Sequence, residues 1–531
     1  MDTELIKKLP LGTSSFEKLR QLDQIYVDKT DRVFDLACQN GKFFLARPRR
    51  FGKSLLISTF ESLFNYGLKD FKGLAIENLW KDEDRNYRVV RLDFSEAKTF
   101  RNSEEFKRQL FDLLLEAFAP YGFRFDPYGT ALTTQLSSWF KSQPLSSVVL
   151  LIDEYDAPLT YCLNKRELFE EVRTELSGFY AVLKSNDSAL RFLFITGITK
   201  FNKSSIFSEL NNLSDISLDP KFGSLLGYTH KEVQQYFLEY LNKAAEIQNT
   251  RIYDLLESLT IHYDGFCFEE TAQQKVFSPW SLLKFFSSPE RGFKDYWFES
   301  GGKPSVLVKY LQSHSLRNPE SYDKEQVLSL KVLSGSSDVE NLSDVGLLAQ
   351  AGYLTIKSVE FGNTVFLGYP NQEVKGAIAQ LYLEQLLNGK VPGEVGAGPV
   401  VKVLAEESPE SVLHILNRLF AAIDYHRYPV TDESSVRAFV QIYFSGAGLD
   451  TKVEHHNAYG RSDLEVTVNV RHWIFEFKVS KDGESAESKL HEAISQIERR
   501  RYGAESPRKA LYRMALVFGL KERRFVKWRC F

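Results

Sequence analysis

The stretch Arg47-Pro48-Arg49-Arg50-Phe51-Gly52-Lys53-Ser54 decides the fold of this 531-residue chain. An apolar run, Phe43-Phe44-Leu45-Ala46, precedes it, and an amphipathic segment beginning Leu55-Leu56 follows it. This order predicts a strand, a loop and a helix that starts at Gly-Lys-Ser. In a phosphate-binding loop, backbone N–H groups and the helix dipole hold the α/β-phosphates, a lysine reaches the β/γ-phosphates and a serine hydroxyl binds Mg²⁺. The sequence therefore assigns the last two roles to Lys53 and Ser54.

The match to the phosphate-binding pattern is incomplete at one position. The pattern G-x-x-x-x-G-K-[ST] has glycine where this chain has Arg47, so a basic loop that only caps a helix is a second interpretation. The loop arginines can grip phosphate through two N–H groups or serve as salt-bridged structural groups, and the sequence leaves both roles open. On the first interpretation, the nucleotide-binding residues of the loop are Arg49, Arg50, Phe51, Gly52, Lys53, Ser54 and Leu55.

A second apolar run supplies the other half of a nucleotide site. Residues 148–152 are all apolar and are followed by Asp153-Glu154, which is typical of a strand buried on both faces of a parallel sheet. At the carboxyl end of such a strand, Asp153 is expected beside the Mg²⁺, and Glu154 is expected to polarise the attacking water. Another predicted strand ends at Thr196, where a hydroxyl would sense the γ-phosphate and so bind the nucleotide.

With these two motifs the chain resembles the AAA-ATPase-like family of P-loop proteins, whose diagnostic loop is itself R-P-R-R-F-G-K-S. The resemblance covers roughly residues 5–290 and includes the segments 9–12, 26–30, 153–156, 196–200, 263–266 and 278–281. It makes the arginine at the first loop position a family trait. It also implies ATP binding and hydrolysis, with residues 26–30 near the nucleotide.

Composition favours a large intracellular protein. The length suggests three or four domains, the chain is 43% hydrophobic, and its formal net charge is −3. No apolar stretch approaches the ~20 residues needed to cross a bilayer, and the N-terminal residues lack the apolar core of a signal peptide. The four cysteines show no C-x-x-C spacing, which indicates free thiols in a reducing compartment. We therefore expect a cytoplasmic protein with no membrane partner, and homo-oligomerisation is left open.

Beyond the sheet, the sequence pattern becomes mainly helical. Thr229-His230-Lys231-Glu232 predicts a capping box and a helix to about Leu241 in a lid-like region. Farther on, residues 347–371 have the pattern of a helix and two short strands, as in a winged-helix unit. Such a unit binds DNA or packs beside the ATPase, and its weak basicity favours packing. The Gly/Pro-rich run at 388–399 indicates a linker.

A second group of chemically active residues follows that run. Gly460-Arg461-Ser462-Asp463 leads one predicted strand, and Glu476 and Lys478 lie in the next, where a period of two places both on one face. Asp463 and Glu476 can hold a divalent cation, for which their hard oxygen ligands suit Mg²⁺ or Mn²⁺. Lys478 can position or deprotonate a water that attacks a phosphodiester. Taken alone, the E-F-K tripeptide also fits an ordinary amphipathic strand.

G-R-x-D followed about a dozen residues later by E-F-K resembles the PD-(D/E)XK nuclease superfamily. The resemblance implies a helix at 432–445 with Glu433 as a further acidic metal ligand, the two strands with Asp463 and Glu476, and a second helix before two final strands. Ser462 stands where proline is usual. Residues 489–531 carry 12 lysines and arginines against 4 acidic residues, which favours a face that grips nucleic-acid phosphates, although a solubilising surface fits as well.

The predicted fold class is α/β, with a P-loop NTPase parallel sheet, a helical lid, a winged-helix-like region and a C-terminal restriction-endonuclease-like domain. The expected boundaries are 1–225 for the ATPase-like domain, 226–330 for the lid, 331–387 for the winged-helix-like region, 388–400 for the linker and 401–531 for the nuclease-like domain.

The predicted function is that of a P-loop ATPase that regulates or powers a Mg²⁺-dependent nuclease acting on DNA or RNA, with defence against mobile elements as a fitting setting. The catalytic residues are then Glu154, Asp463, Glu476 and Lys478. The alternative is a nucleotide-dependent signalling switch or remodeller whose nuclease-like domain only binds nucleic acid.

Overall fold

The chain folds into two compact units. The computed structural model describes residues 6–81, 86–200, 210, 212–298, 326–334, 343–457, 460–481, 484–500 and 510–531. The first unit ends at Asn371 and the second begins at Gln372. Among the described residues, no helix is both long and apolar enough to span a bilayer.

The first unit is built on a five-stranded sheet in which every neighbouring pair is parallel. The central strands are buried along their whole length, as expected where a parallel sheet is covered on both faces. The predicted parallel P-loop sheet is thereby confirmed. The strand order is β2-β3-β4-β1-β5, with β1 (Lys42–Ala46), β2 (Arg88–Asp93), β3 (Val148–Asp153), β4 (Leu190–Gly197) and β5 (Ser214–Asp215).

Helices enclose this sheet and then form the lid-like region. Large aromatic side chains such as Phe118, Trp139 and Phe179 pack in the core against the strands. The helices are α1 (Phe16–Gln21), α2 (Thr30–Ala37), α3 (Lys53–Tyr66), α4 (Ser103–Phe118), α5 (Leu132–Lys141), α6 (Ala157–Tyr161), α7 (Arg166–Ser185), α8 (His230–Tyr236), α9 (Leu238–Ile247), α10 (Ile252–Tyr263) and α11 (Pro279–Ser287).

The predicted lid helix begins as expected but does not run unbroken to Leu241. The capping box is present, because the Thr229 side chain accepts from the Glu232 N–H and the Glu232 carboxylate accepts from the Thr229 N–H. The helix is interrupted at Phe237, whose φ of −119° and ψ of 20° lie outside the helical range. Phe237 is fully buried and its ring stacks on Phe286, so the burial of this ring accompanies the break between α8 and α9.

A small antiparallel sheet with two short helices completes the first unit. Its elements are β6 (Gln326–Ser329), α12 (Leu330–Ser334), α13 (Asp344–Gln350), β7 (Thr355–Glu360) and β8 (Thr364–Gly368), in the strand order β6-β8-β7. This region packs on the back of the phosphate-binding loop. Gly352, with φ of +83°, lies so close to Pro48 that an added Cβ would collide with it, and the Lys200 N–H donates to the Gln350 side chain at 2.9 Å.

The second unit contains a mixed five-stranded sheet in the order β13-β12-β11-β10-β9. Only the β11–β12 pair is parallel among its described strands. This confirms the C-terminal α/β fold class. The elements are α14 (Gln372–Leu386), α15 (Val400–Glu406), α16 (Pro409–Ala422), α17 (Glu433–Gly446), β9 (Thr451–Asn457), β10 (Gly460–Val468), β11 (Arg471–Ser480), α18 (Ala486–Arg499), β12 (Ala510–Gly519) and β13 (Arg524–Cys530).

The division between the units falls before α14, earlier than the linker expected at 388–400. Helix α14 packs against α17 within the second unit. The Gly/Pro-rich run also packs there, because Ala397 is buried and its carbonyl accepts a hydrogen bond from Tyr443 Oη at 2.7 Å. A run rich in glycine and proline marks irregular backbone, and irregular backbone can be packed as firmly as a helix when its carbonyls find donors.

Candidate functional sites

A cavity of about 590 Å³ opens at the carboxyl end of the parallel sheet. The loop after β1 and the residue after β3 both contribute to its wall, because carboxyl ends of parallel strands meet at one edge. From the sequence-predicted set, the structure brings together here Arg49, Arg50, Phe51, Gly52, Lys53, Ser54, Leu55 and Glu154.

The backbone of the loop turns sharply into α3. Gly52 is the N-cap residue of α3 with φ of +97°, a left-handed conformation that glycine adopts at little cost. Arg50 at φ of +66° and Glu154 at φ of +51° take the same region without being glycine, and such residues tend to collect at functional sites. The first turn of α3 thus borders the cavity with backbone N–H groups that have no partner within the helix.

Lys53 lies at the base of the loop. Its ammonium donates to the carbonyl oxygens of Arg47 and Pro48, each at 3.0 Å. Burial lowers the pKa of Lys53 below its ordinary value, while the nearby carboxylates of Glu154 and Asp153 act in the opposite direction. A buried cation whose hydrogen-bond partners among the described residues are two carbonyls is placed to exchange them for a stronger anionic acceptor.

The acidic residues after β3 have different environments. Asp153 is buried, and its Oδ1 accepts from the Thr196 hydroxyl at 2.6 Å and from the Glu154 N–H at 3.1 Å. Thr196 therefore orients Asp153 in this structure, and its predicted role as a γ-phosphate sensor stays a prediction. Glu154, unlike Asp153, lines the cavity, and burial raises the pKa of its carboxyl group.

Arg47 is part of the scaffold. It is 1% exposed, and its guanidinium donates to the carbonyls of Ala46, Ser217 and Phe222 at 2.9, 2.7 and 3.2 Å while it lies over the Phe268 ring at 4.5 Å. Burial lowers its pKa to about 9. Of the roles left open for the loop arginines, the structural one applies to Arg47, whereas Arg49 and Arg50 line the cavity.

Several cavity residues come from segments that motif reasoning had not assigned. Tyr26, Val27 and Lys29 line the cavity, in the segment that the family resemblance placed near the nucleotide. Lys98, after β2, and Trp280, in the first turn of α11, were not predicted as site residues. The only sequence signal for Trp280 was the Ser278–Ser281 stretch of the resemblance, while nothing in the sequence pointed to Lys98.

The second predicted site lies where β10 and β11 run side by side. Their antiparallel register pairs Leu464 with Phe475, which places Asp463 beside Glu476. Asp463 Oδ2 accepts from the Phe477 N–H at 2.8 Å, and Lys478 Nζ donates to Glu476 Oε1 at 3.1 Å. The structure thus brings together Asp463, Glu476 and Lys478, the acidic centre of the second unit.

Glu433, predicted as a further ligand, approaches the same centre from α17. Its Oε2 lies 3.6 Å from Lys478 Nζ, so in this structure it forms an ion pair with the lysine. Burial would lower the pKa of Lys478, but Glu476 and Glu433 outweigh it and raise the pKa. Among the described residues, no group of three or more His, Cys, Asp or Glu side chains is arranged to hold a metal.

The two carboxylates of the acidic centre nevertheless suit a cation. Burial raises the pKa of Asp463, and burial together with the Asp463 charge raises that of Glu476 to about 8. Glu476 Oε2 is buried and has no hydrogen-bond partner among the described residues. An orphaned carboxylate oxygen beside a second carboxylate is the donor set that Mg²⁺ or Mn²⁺ prefers, so these residues fit the metal that the sequence predicted.

Arginines surround the acidic centre. Arg437 and Arg461 lower the pKa of Asp463, and Arg500 lowers that of Glu476, although burial outweighs all three. Arg500 also donates to the Arg461 carbonyl at 3.4 Å. The rest of the basic C-terminal stretch is described only in part, because Arg501, Arg508 and Lys509 lie outside the described residues.

Two family models match the chain. Residues 10–207 match a model described as "Predicted AAA-ATPase", and residues 431–528 match one described as "PD-(D/E)XK nuclease superfamily". A protein from Azotobacter chroococcum mcd 1, described as "Uncharacterized protein in vnfD 5'region", is 32% identical over 482 residues, which cover 89% of each chain. Both resemblances inferred from the sequence are confirmed.

Arg47→Lys should destabilise the first unit. One ammonium cannot reach the three carbonyls that the guanidinium holds, so we expect the free energy of unfolding to fall by about 1–3 kcal/mol. Chemical denaturation followed by circular dichroism measures this change. Arg49→Lys, at an exposed position, is the matched control and should leave stability nearly unchanged. Equal stability of Arg47→Lys and wild type would contradict the scaffold role.

The metal-free acidic centre should make stability depend on pH. The folded state holds the Glu476 proton with a pKa of about 8 against an ordinary 4.5, with Asp463, Lys478 and Arg500 facing the group. Its contribution to stability is therefore complete below about pH 4.5 and is lost as the pH rises through about 8. The stability advantage of Glu476→Gln over wild type, measured by calorimetry with a chelator present, should grow across this window.

A control for this measurement is Glu498→Gln, at an exposed position of α18. Its difference from wild type should stay constant over the same range. If the stability difference between Glu476→Gln and wild type were equally independent of pH, Glu476 would be ionised over the whole range and its carboxylate would be solvated by water.

Proposed function

We propose, since the chain belongs to the AAA-ATPase-like family and carries a PD-(D/E)XK nuclease superfamily domain, that it is an ATPase whose nucleotide state regulates metal-dependent cleavage of DNA or RNA. One observation carries the nuclease part: Asp463, Glu476 and Lys478 converge on adjacent strands, and an oxygen of Glu476 has no partner. Two buried carboxylates and a lysine in such proximity lower the stability of the fold. A divalent cation would bind the two carboxylates, and a phosphodiester would interact with the lysine.

The residues of the acidic centre have separable tasks. Asp463 and Glu476 would hold the divalent cation, which when bound polarises the phosphodiester and lowers the pKa of a water. Glu476 also accepts from Lys478 Nζ, which fixes the ammonium at the centre. Lys478 orients the attacking water and stabilises the charge that develops on the phosphate oxygens. Glu433, paired with Lys478, keeps the lysine charged until substrate arrives.

Nucleic acid is the substrate class that the surroundings favour. Arg437, Arg461 and Arg500 act electrostatically on the two carboxylates, and the same positive charges would attract the phosphates of a bound nucleic acid. Arginine suits this task because its guanidinium binds phosphate at two points. Contacts of this kind are independent of base sequence and weaken with salt.

ATP hydrolysis is supported by the cavity of the first unit. Lys53 would transfer its hydrogen bonds from the loop carbonyls to the β/γ-phosphates, and Ser54 would bind the accompanying Mg²⁺. Glu154 lines the cavity and would polarise the attacking water, with Asp153 held in place by Thr196. A raised pKa makes Glu154 a better proton acceptor once ionised.

Lys53→Ala should abolish ATP binding, because the phosphates lose their buried cation. Glu154→Gln should bind ATP but hydrolyse it about 10²-fold or more slowly, since it cannot accept a proton. Isothermal titration calorimetry and phosphate release measure the two effects. Lys231→Ala, at an exposed position of α8, is the control. Unchanged ATP affinity in Lys53→Ala would refute the loop assignment.

Asp463→Asn, Glu476→Gln and Lys478→Met should each slow Mg²⁺- or Mn²⁺-dependent cleavage by about 10²-fold or more, because each removes a ligand or proton-handling group. The assay uses single- and double-stranded DNA and RNA with and without ATP, and Glu498→Gln is the control. Regulation by nucleotide predicts that Lys53→Ala loses the ATP response but keeps an intact acidic centre.

Two results would redirect the proposal. Cleavage by Glu476→Gln at the wild-type rate would exclude the acidic centre as the active site. Nucleic-acid binding without cleavage by the wild type, together with ATP-dependent changes in assembly, would favour a nucleotide-dependent switch or remodeller.

A further inference from the structure

The Ser278–Ser281 stretch brings an indole into the wall of the nucleotide cavity. Trp280 lies in the first turn of α11, which begins at Pro279 after the capping residue Ser278. It lines the cavity together with Pro279 and Leu283. Neither the loop chemistry nor the water-polarising glutamate uses this residue, so its presence in the wall calls for another role.

The backbone holds this part of the wall rigidly. Tyr228 and Phe277 exchange backbone hydrogen bonds at 3.3 and 2.7 Å, and the Ser278 N–H donates to the Tyr263 carbonyl at 2.9 Å. Tyr228 also lines the cavity. The segment that leads into α11 is therefore tied to Tyr228 and Tyr263, and these bonds fix the start of the helix that carries Trp280.

The cavity has two chemically different ends. Of the charged lining residues, Arg49, Arg50, Lys53 and Glu154 belong to the phosphate loop and the end of β3, and Lys29 and Lys98 come from other segments. A second set of lining residues is apolar and offers flat or branched surfaces suited to a ring system. These residues are Ile25, Val27, Leu225, Leu226, Pro279, Trp280 and Leu283.

Trp280 has two features that a bound nucleotide would change. The Arg50 guanidinium lies over its ring, 4.5 Å from the ring centre, a cation–π contact that leaves Arg50 beside the phosphate loop. The indole Nε1–H is buried and has no acceptor among the described residues. Phosphates would attract the guanidinium more strongly than an aromatic face does. Its departure would expose the part of the indole that Arg50 covers, while Lys284 Nζ would remain 5.7 Å from the ring centre.

We infer that Trp280 recognises the nucleoside part of the bound nucleotide. When Arg50 turns to the phosphates, the base takes its place on the indole face, and the indole N–H donates to an oxygen of the ribose. Arg50 and Trp280 thereby couple the two ends of the cavity, because occupation of one by phosphate opens the other to the base. This inference rests on the proposed ATP site and adds the residue that reads the nucleoside.

The test compares ATP with inorganic tripolyphosphate, which has the phosphates but no nucleoside. Trp280→Phe keeps a ring face and loses the N–H, so ATP should bind about 2- to 10-fold more weakly. Trp280→Ala loses both, and the loss should reach about 5- to 100-fold. Tripolyphosphate should bind both variants as tightly as wild type, or more tightly in Trp280→Ala, where the indole no longer competes with the phosphates for Arg50.

Trp80→Phe is a matched control. Trp80 is also buried with an indole N–H that lacks a partner among the described residues, but it does not line the cavity. Its ATP affinity should equal that of wild type. ATP should also change the tryptophan emission of wild type and of Trp80→Phe, and this change should be absent in Trp280→Phe, where the exchanged indole is missing.

The outcomes separate this inference from the proposed function. Wild-type ATP affinity in both Trp280 variants would overturn the inference and leave the ATP site standing. Equal losses for ATP and tripolyphosphate would also overturn it, because Trp280 would then support the loop rather than the nucleoside. If the wild type bound tripolyphosphate and ATP alike, the nucleoside would add no affinity and the inference would be overturned. If the wild type bound neither, the nucleotide site itself would be refuted and the inference with it.

Discussion

The buried guanidinium of Arg47 is the interaction on which the first unit depends. A cation at 1% exposure needs acceptors close to it, and here the carbonyls of Ala46, Ser217 and Phe222 accept from its two terminal nitrogens, while Nε has no partner among the described residues. Those bonds join the end of β1 to the chain just before Leu225 and Leu226, which form part of the cavity wall. The position of the loop and the width of the cavity are thus set by the same side chain.

The second unit has the opposite arrangement at its acidic centre. Two carboxylates, Asp463 and Glu476, lie side by side there, and although Lys478 pairs with Glu476, the Oε2 atom of Glu476 has no partner among the described residues. Strand β11 is hydrogen-bonded on both sides, to β10 and to β12. This pairing holds the backbone of Asp463 beside that of Glu476, so the two side chains stay close together. In the first unit, backbone carbonyls accept from both terminal nitrogens of the buried guanidinium, whereas in the second unit a buried carboxylate oxygen stays available for a ligand.

Much of this organisation was accessible from the sequence because it depends on short-range patterns. The apolar run at 148–152 gave a buried strand because continuous apolar residues fit only the middle of a covered sheet. The E-F-K alternation likewise put Glu476 and Lys478 together. Features that depend on contacts between residues far apart in the sequence could not be predicted. Two of the three acceptors of Arg47 lie 170 and 175 residues away, and the position of Trp280 follows from the pairing of Tyr228 with Phe277.

The orphaned oxygen of Glu476 has a consequence for how this protein can change over time. Because burial and Asp463 oppose ionisation of Glu476, a neutral side chain there would stabilise the fold at neutral and higher pH and abolish the metal site in the same step. Stability and activity are opposed at this position. In a lineage under no selection for metal-dependent cleavage, a single substitution of Glu476 would increase the stability of the domain. The stability of the fold therefore does not select for retention of the active-site carboxylate.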